Sequence, residues 1–305
     1  MFKALSLIIP TLNAGSNFEL LLQSIKKQSI VPHEVIVIDS ESDDATPQVA
    51  LKYGCSVISI RRKDFNHGAT RQFGVERSGA DIVVFLTQDT ILASASSLKN
   101  IIDCFNDPTV GAAYGRQLPH LHSSPIGAHA RLFNYPPESR IKTMGDAAEL
   151  GIKTAFISNS FAAYRRAALQ EVGGFPANVI LSEDTYVAAK MLLAGWKVYY
   201  SADAQVYHSH DYTVWQEFKR YFDIGVFHGR ESWLREAFGQ AEGEGFRYVC
   251  SELRYLWVSG KRFIPKACLQ NLAKLVGYKL GLHEKLLPRW VKKRLSANKQ
   301  YWAQA

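Results

Sequence analysis

The chain of 305 residues has only four cysteines, Cys55, Cys104, Cys250 and Cys268, and no two of them stand at CxxC spacing. Neither a zinc site nor a disulfide framework is expected from such a scatter, and a reducing cytoplasm suits it. No stretch approaches the roughly 18 to 20 uninterrupted apolar residues that cross a bilayer. The chain is therefore expected not to span a membrane, although it can lie on one. The apolar run after Met1-Phe2-Lys3 stops at Pro10 and Asn13 with no small-residue cleavage site, so it reads as a buried first strand and not as a signal peptide. There is no GxGxxG after that strand and no GxxxxGK(S/T) anywhere, which excludes a dinucleotide fingerprint and a Walker loop. Internal repeats and low-complexity segments are missing as well.

What is present is an ordinary globular composition, 47% hydrophobic and 21% charged, long enough to bury a large core as one domain with an appendage or as two smaller domains. Acids are nearly missing from one region: positions 261–305 hold eleven Lys or Arg against the single Glu284, a local charge of +10 in a chain whose net charge is +8. The remainder is thus slightly acidic, and a phosphate-bearing surface is expected to meet the tail and not the body.

Short runs rich in Val, Ile and Leu at Leu5–Ile9, Val35–Ile38, Val57–Ile60 and Ile82–Leu86 read as strands covered on both faces. Helical patterns lie between them. Ser16 with Glu19 suggests a capping box before Phe18, Leu21, Leu22 and Ile25, and Thr46-Pro47 suggests an N-cap with a first-turn proline. The alternation predicts a Rossmann-like, mainly parallel sheet flanked by helices. Ligands of such sheets collect beyond the carboxyl ends of the strands. Here those ends carry Pro10-Thr11-Leu12-Asn13, Asp39-Ser40 and Gln88-Asp89. Polar turns are common, so each segment alone points no further than a turn; their convergence is what suggests a site. Asp39 is placed either to accept the ring N–H of a pyrimidine or to cap a turn. Beyond Phe156 the pattern predicts a turn at Gly173-Gly174-Phe175-Pro176, a helix from Glu183 to Leu193 and two short strands near Val198–Tyr200 and Gln205–Tyr207. Past Asp211 it becomes mostly helical.

The strings SLIIPTLNAG, EVIVIDSESDDAT, NHGATRQFG, FLTQDT, GGF and LSEDTYVAAKMLLAGWKVYY occur between Ser6 and Tyr200 in the order seen in family 2 glycosyltransferases of the GT-A fold, and the span to about His210 resembles that family. The resemblance implies a catalytic, nucleotide-sugar-binding domain over 1–210 and a basic helical C-terminal region over 211–305. It places Pro10, Thr11, Asn13, Asp39, Gln88 and Asp89 on the donor, with Arg71 lining its pocket and Arg62 either flanking the base or standing as a surface charge. A divalent metal, Mg2+ or Mn2+, is implied at a DxD-like motif that here reads Thr87-Gln88-Asp89, leaving Asp89 as its carboxylate ligand. Of His208 and His210, alternation along an extended chain brings one to the metal, and His208 is the expected ligand. Asp184 of the Glu183-Asp184 pair is implied as the general base, with Glu183, Gly174 and Trp196 on the acceptor side. A helix N-terminus is expected to lower the pKa of Asp184.

DFNHGATRQFG, FLTQD, VYHSHDYT and the terminal LPRWVKKRLSANKQYW are similar to one branch of the family, the bacterial rhamnosyltransferases that use dTDP-L-rhamnose in O-antigen and cell-wall polysaccharide synthesis. That resemblance implies an inverting transfer of rhamnose to a polyprenyl-diphosphate-linked saccharide on the cytoplasmic face of the inner membrane; a UDP-sugar donor is the alternative. In the tail, Phe263, Leu272, Leu275, Val276, Tyr278, Leu286, Leu287 and Trp290 are interleaved with Lys and Arg. This is the pattern of helices lying in an anionic headgroup region, or of helices packed on the body with a solvated basic face. A sugar-1-phosphate nucleotidylyltransferase would need a Gly-rich basic loop where Pro10–Gly15 stands. A nucleic-acid-binding protein is disfavoured by the acidic cluster Asp39, Glu41, Asp43 and Asp44.

Overall fold

The computed structural model describes residues 4–239 and 243–304. Nine strands, β1 (Leu5–Thr11), β2 (Glu34–Asp39), β3 (Ser56–Ser59), β4 (Ile82–Leu86), β5 (Ile91–Leu92), β6 (Val110–Leu118), β7 (Arg140–Lys142), β8 (Phe161–Arg165) and β9 (Lys197–Tyr207), form one sheet. Its order is β3-β2-β1-β4-β8-β6-β9-β5, with β7 on β9. The first four positions are parallel, as the strand–helix alternation requires. β8 then enters antiparallel to both β4 and β6, which makes the second half of the sheet mixed.

The apolar residues sort by alternation. Leu7, Ile9, Val37, Val84 and Leu86 face the helix Asn17–Lys26, while Ile8, Ile36, Ile38, Val83 and Phe85 face Val75 and the helix Glu183–Leu193. Both sets are fully buried or nearly so, which is why these strands read as unbroken apolar runs.

Three local expectations need correction. Ser16 makes no capping bond, because Glu19 is drawn away to Lys52 and Tyr53 of the neighbouring helix. Thr46 is the first helical residue and not the cap; its hydroxyl accepts the Ala14 N–H (2.9 Å) and so ties the β1 loop to the second helix. The two short strands near Tyr200 and Tyr207 are one strand, β9, interrupted where its register on β6 jumps from Ser201 to Gln205.

The region after Asp211 is helical, yet it is not set apart from the body. Phe222, Val226, Phe227, Leu234 and Trp302 belong to the same buried cluster as Ile8, Phe85 and Val187. The helices Val214–Arg230 and Ile264–Leu282 touch backbone to backbone, since a Cβ on Gly281 would overlap the Phe222 carbonyl. Removal of positions 261–305 would strip that cover, so the tail is part of the folded unit and cannot be cut away cleanly. No helix among the described residues is long and apolar enough to cross a membrane. All four cysteines are unpaired.

Candidate active site

The loops that leave β1 and β2 are bound to each other. Asp39, at the end of β2, accepts from the Thr11 hydroxyl (3.0 Å), the Ser42 hydroxyl (2.6 Å) and the Ser42 N–H (2.9 Å). The turn-capping role weighed for it is therefore present. Asn13 accepts the Asp43 N–H (2.8 Å) through its side chain, and Arg62 donates to the Glu41 carbonyl (2.6 Å) and to Asp43 (2.6 Å). Arg62 thus clamps the loop beyond Asp39. Among the described residues three non-glycines have left-handed backbone, Asn13, Glu41 and Ser182, and all lie on loops around this edge. Such strain persists only where surrounding contacts enforce it.

The departure from a two-acid motif has a structural reason. The Gln88 amide accepts from the Leu12 N–H (2.8 Å) and donates to the Leu12 carbonyl (3.1 Å), a pair of bonds that a carboxylate could not make because it cannot donate. Gln88 braces the Asp89 loop against the β1 loop. The half of the edge expected to hold the nucleotide is thereby locked to the half that carries Asp89.

Asp89 faces two histidines. His208 Nε2 lies 3.4 Å and His210 Nε2 lies 3.5 Å from its Oδ2, and one ligand atom from each of the three falls within 4.8 Å of the others. The expectation that only one histidine could reach Asp89 is corrected: β9 ends at Tyr207, and the chain turns beyond it with Ser209 held by the His120 N–H (3.1 Å). Strand alternation does not apply to a segment that is no longer a strand. Burial pushes the His208 pKa down, and burial with the neighbouring His208 pushes His210 down to about 4, so both rings are neutral at pH 7.

The tautomer of His208 can be derived. Arg131, a donor only, gives Nη1–H to Gln117 Oε1 (2.6 Å), and Gln117 Nε2 donates to Ser158 (2.9 Å), which fixes the amide's orientation. The same Oε1 lies 2.9 Å from His208 Nδ1, so Nδ1 carries the proton and Nε2 presents a lone pair to the Asp89 carboxylate. Two bare acceptors facing each other across a buried gap repel unless a cation lies between them. One carboxylate, two neutral imidazoles and an amide that orients one ring make a donor set that fits a divalent metal. Gln117 carried no signal in the sequence, since it is an isolated amide in a strand 91 positions from His208.

Asp184 opens the helix Glu183–Leu193 and accepts from the Asn159 N–H (3.1 Å) and the Thr185 N–H (2.7 Å). Beneath it, Glu183 is buried and paired with Arg71 (3.1 Å), and Asn159 Nδ2 also donates to Glu183 (3.0 Å). The expected lowering of the Asp184 pKa by the helix terminus is corrected. Burial and the negative charge of Glu183 outweigh the two backbone donors and push Asp184 up to about 7. Glu183 moves the other way, because Arg71, His67 and Asn159 offset its own burial. One carboxylate of the pair is held charged and the other is poised near neutrality, as an acid–base pair requires.

Three further expectations change. Arg71 does not line an open pocket; its side chain is buried, bonded to the His67 carbonyl (2.9 Å) and to Glu183. Gly174 is a turn residue (φ +72°) whose missing Cβ makes room for the Gln72 amide, and Gln72 accepts the Phe175 N–H (3.0 Å). Trp196 precedes β9 and donates to Glu171 (3.1 Å), whereas His208 follows the far end of this 11-residue strand. At roughly 3.3 Å per residue, the two stand on the order of 30 Å apart.

Asp89, Asp184, His208 and His210 open into one cavity of about 1190 Å³, closed on its other side by Arg220, Tyr248, Gln270 and Tyr278 of the helical region. A smaller pocket of about 650 Å³ beside Pro125, Asp211 and Lys261 contains none of the four. The large cavity thus joins the Asp89 cluster to the poised carboxylate.

Residues 6–173 match the family model described as Glycosyl transferase family 2. The chain is 50% identical over 98% of its length to the O-antigen chain rhamnosyltransferase RfbN of Salmonella typhimurium, covering 96% of that protein. It is 47% identical to the O-antigen chain rhamnosyltransferase WbaN of Salmonella anatum, over 97% of this chain and 95% of that one. Among solved structures it is similar to the mannosyltransferase PcManGT of Pyrobaculum calidifontis in complex with GDP-Man and Mn2+ (TM-score 0.58, 19% identity, 98% of this chain and 85% of that one). It is also similar to TarS of S. aureus in complex with UDP-GlcNAc (TM-score 0.52, 15% identity, 93% and 91%). These two likenesses establish the GT-A-like fold, and with the family match and the near full-length relatives they close the case: the chain belongs to glycosyl transferase family 2 and is a glycosyltransferase.

Proposed function

We propose that the protein transfers L-rhamnose from dTDP-L-rhamnose to a polyprenyl-diphosphate-linked saccharide, with inversion at the anomeric carbon. The observation that carries the geometry is the single cavity joining Asp184 to Asp89, His208 and His210. The choice of sugar is supported by near full-length identity to two O-antigen rhamnosyltransferases. In the reaction the acceptor oxygen forms a bond to the anomeric carbon, the bond from that carbon to the diphosphate oxygen breaks, and the acceptor proton passes to Asp184. Asn159 and Thr185 orient the Asp184 carboxylate, and burial with the charge of Glu183 keeps it basic. A divalent cation held by Asp89, His208 and His210, when bound, neutralises charge on the leaving diphosphate. Two imidazoles beside one carboxylate suit Mn2+ better than Mg2+, which prefers oxygen. Calorimetry with dTDP, UDP and GDP tests the donor. The expected result is tightest binding of dTDP and a larger gain from Mn2+ than from Mg2+; preference for GDP, or no gain from either ion, would sink the reading.

The acceptor's lipid implies work at the cytoplasmic face of the inner membrane. Leu286 and Trp290 stand 83% and 69% exposed in the basic tail, an apolar surface with cationic neighbours suited to anionic headgroups. The double variant Leu286→Ser, Trp290→Ser is expected to sediment less with vesicles containing anionic lipid while binding dTDP as before. Undiminished sedimentation would remove these two residues from the membrane contact.

A further inference from the structure

We propose that Arg131 and Arg220 form an anion subsite for the diphosphate of the nucleotide-sugar donor, one arginine on each side of the Asp89 cluster. This deepens the donor reading above and rests on it.

Each arginine reaches Asp89 through one histidine. Arg131, from the helix Pro125–Asn134, bonds Gln117 Oε1 (2.6 Å), the oxygen that also receives His208 Nδ1–H (2.9 Å). Arg220, from the helix Val214–Arg230, lies 5.7 Å over the ring of Tyr212, which itself packs 5.1 Å from the His210 ring. Two elements far apart in sequence thus bring a guanidinium to a neighbour of each imidazole, and both arginines, both histidines, Tyr212 and Asp89 line the same cavity.

The charge balance there is incomplete. Among the described residues neither arginine has a carboxylate within ion-pair distance, and the buried Nε of Arg131 has no partner. Other acids on the cavity wall are engaged elsewhere: Glu217 pairs with Lys274 (3.6 Å), Glu244 with Lys153, and Asp211 accepts from the Ser124 N–H (3.0 Å). Asp184 and Glu217 share the cavity wall with Asp89, but none of the three is within ion-pair distance of either guanidinium, and a bound divalent cation would add positive charge. Arg131 is half-buried and Arg220 is exposed, and both line the cavity, so a counter-charge entering it can reach them. A diphosphate supplies it with several acceptor oxygens, the geometry that guanidinium forks match. The donor's diphosphate is favoured over the acceptor's because each arginine contacts a side chain that itself contacts a histidine at Asp89, on the edge that Gln88 locks to the β1 loop.

The test is calorimetry of dTDP, dTMP and thymidine with Mn2+ on the full chain, comparing Arg220→Gln, Arg220→Lys and Arg131→Gln with the unsubstituted protein. Thermal unfolding of each variant checks the fold. Arg220, which makes only a ring contact, should be replaceable without loss of structure. Arg220→Gln is expected to weaken dTDP by roughly tenfold to a hundredfold, the range for a lost charge-assisted bond, with thymidine unchanged and Arg220→Lys intermediate. The subsite is overturned if thymidine and dTDP weaken equally. It is equally overturned if dTDP is unaffected while KM rises only for an acceptor carrying its diphosphate, for the anion would then be the acceptor's. Failure of the unsubstituted protein to bind any nucleoside diphosphate would instead sink the donor reading itself.

Discussion

Asp184→Asn is expected to lower kcat by roughly 10² to 10⁴, the span associated with loss of general acid–base catalysis, while dTDP affinity stays within twofold of the unsubstituted protein, about 0.4 kcal/mol. Asparagine keeps the side-chain shape and one of the two oxygens that accept from the Asn159 and Thr185 N–H groups, but cannot take a proton. The pH dependence follows from the direction of the shift. A base raised to about 7 by burial and by Glu183 is charged only above that value, so kcat/KM should rise with pH through about 7 and level off above it. Stability runs the opposite way. A carboxyl whose folded pKa lies above its unfolded value stabilises the fold below the unfolded pKa, and loses that contribution as pH rises through the folded pKa. The Asn variant, uncharged throughout, should therefore gain in thermal unfolding temperature over the parent above pH 7 and gain nothing near pH 4. Normal turnover by the variant, or a product that keeps the donor's anomeric configuration, would remove Asp184 from this role.

Asp89→Ala should abolish most of the gain in dTDP affinity that Mn2+ confers, and turnover with it. Loss of an outer partner of a metal ligand typically costs 10- to 100-fold in metal affinity, so loss of the only carboxylate ligand should cost more. Because His208 and His210 lie at nearly equal distances from Asp89, 3.4 Å and 3.5 Å, substitution of either by Ala should weaken Mn2+-supported binding, with His208→Ala the larger. The asymmetry comes from Gln117, which fixes the His208 ring by a hydrogen bond, while His210 is flanked by the rings of His208 and Tyr212. Metal-free binding of thymidine should be unaffected in all three. Unchanged Mn2+ enhancement in Asp89→Ala would show that the cluster is not the metal site.

The parts of the site that could be read from the chain are those in which one short segment contains both the structural signal and the chemistry. β1, β2 and β4 are apolar runs buried on both faces; β1 and β2 end in Thr11 and Asp39, and β4 runs out at Leu86 into the loop that carries Asp89 to the same carboxyl edge. The helix Glu183–Leu193 begins at its acids, so Asp184 could be singled out from local pattern alone. Errors arose where one residue's surroundings come from distant segments. The pKa of Asp184 departs from what the helix terminus alone predicts, because that terminus is visible in sequence whereas the charge on Glu183 and the burial of both come from Arg71, Asn159 and the packing above them. Trp196 and Gly174 stand close in sequence to Asp184, yet strand direction and a turn carry them elsewhere.

The layered α/β architecture, the edge at which chemistry collects and the identity of the carboxylates there are legible in the residue pattern, because period-two and helical burial patterns are local consequences of backbone geometry. How those groups act depends on contacts between distant segments. Gln88 is a brace because Leu12 lies opposite it, His208 presents a bare nitrogen because Gln117 and Arg131 fix its other one, and Arg220 reaches the Tyr212 ring beside His210 because the helix Val214–Arg230 borders the same cavity. Protonation, tautomer and charge balance depend on the sum of neighbours within a few ångströms, and in this chain those neighbours are separated by tens to hundreds of residues.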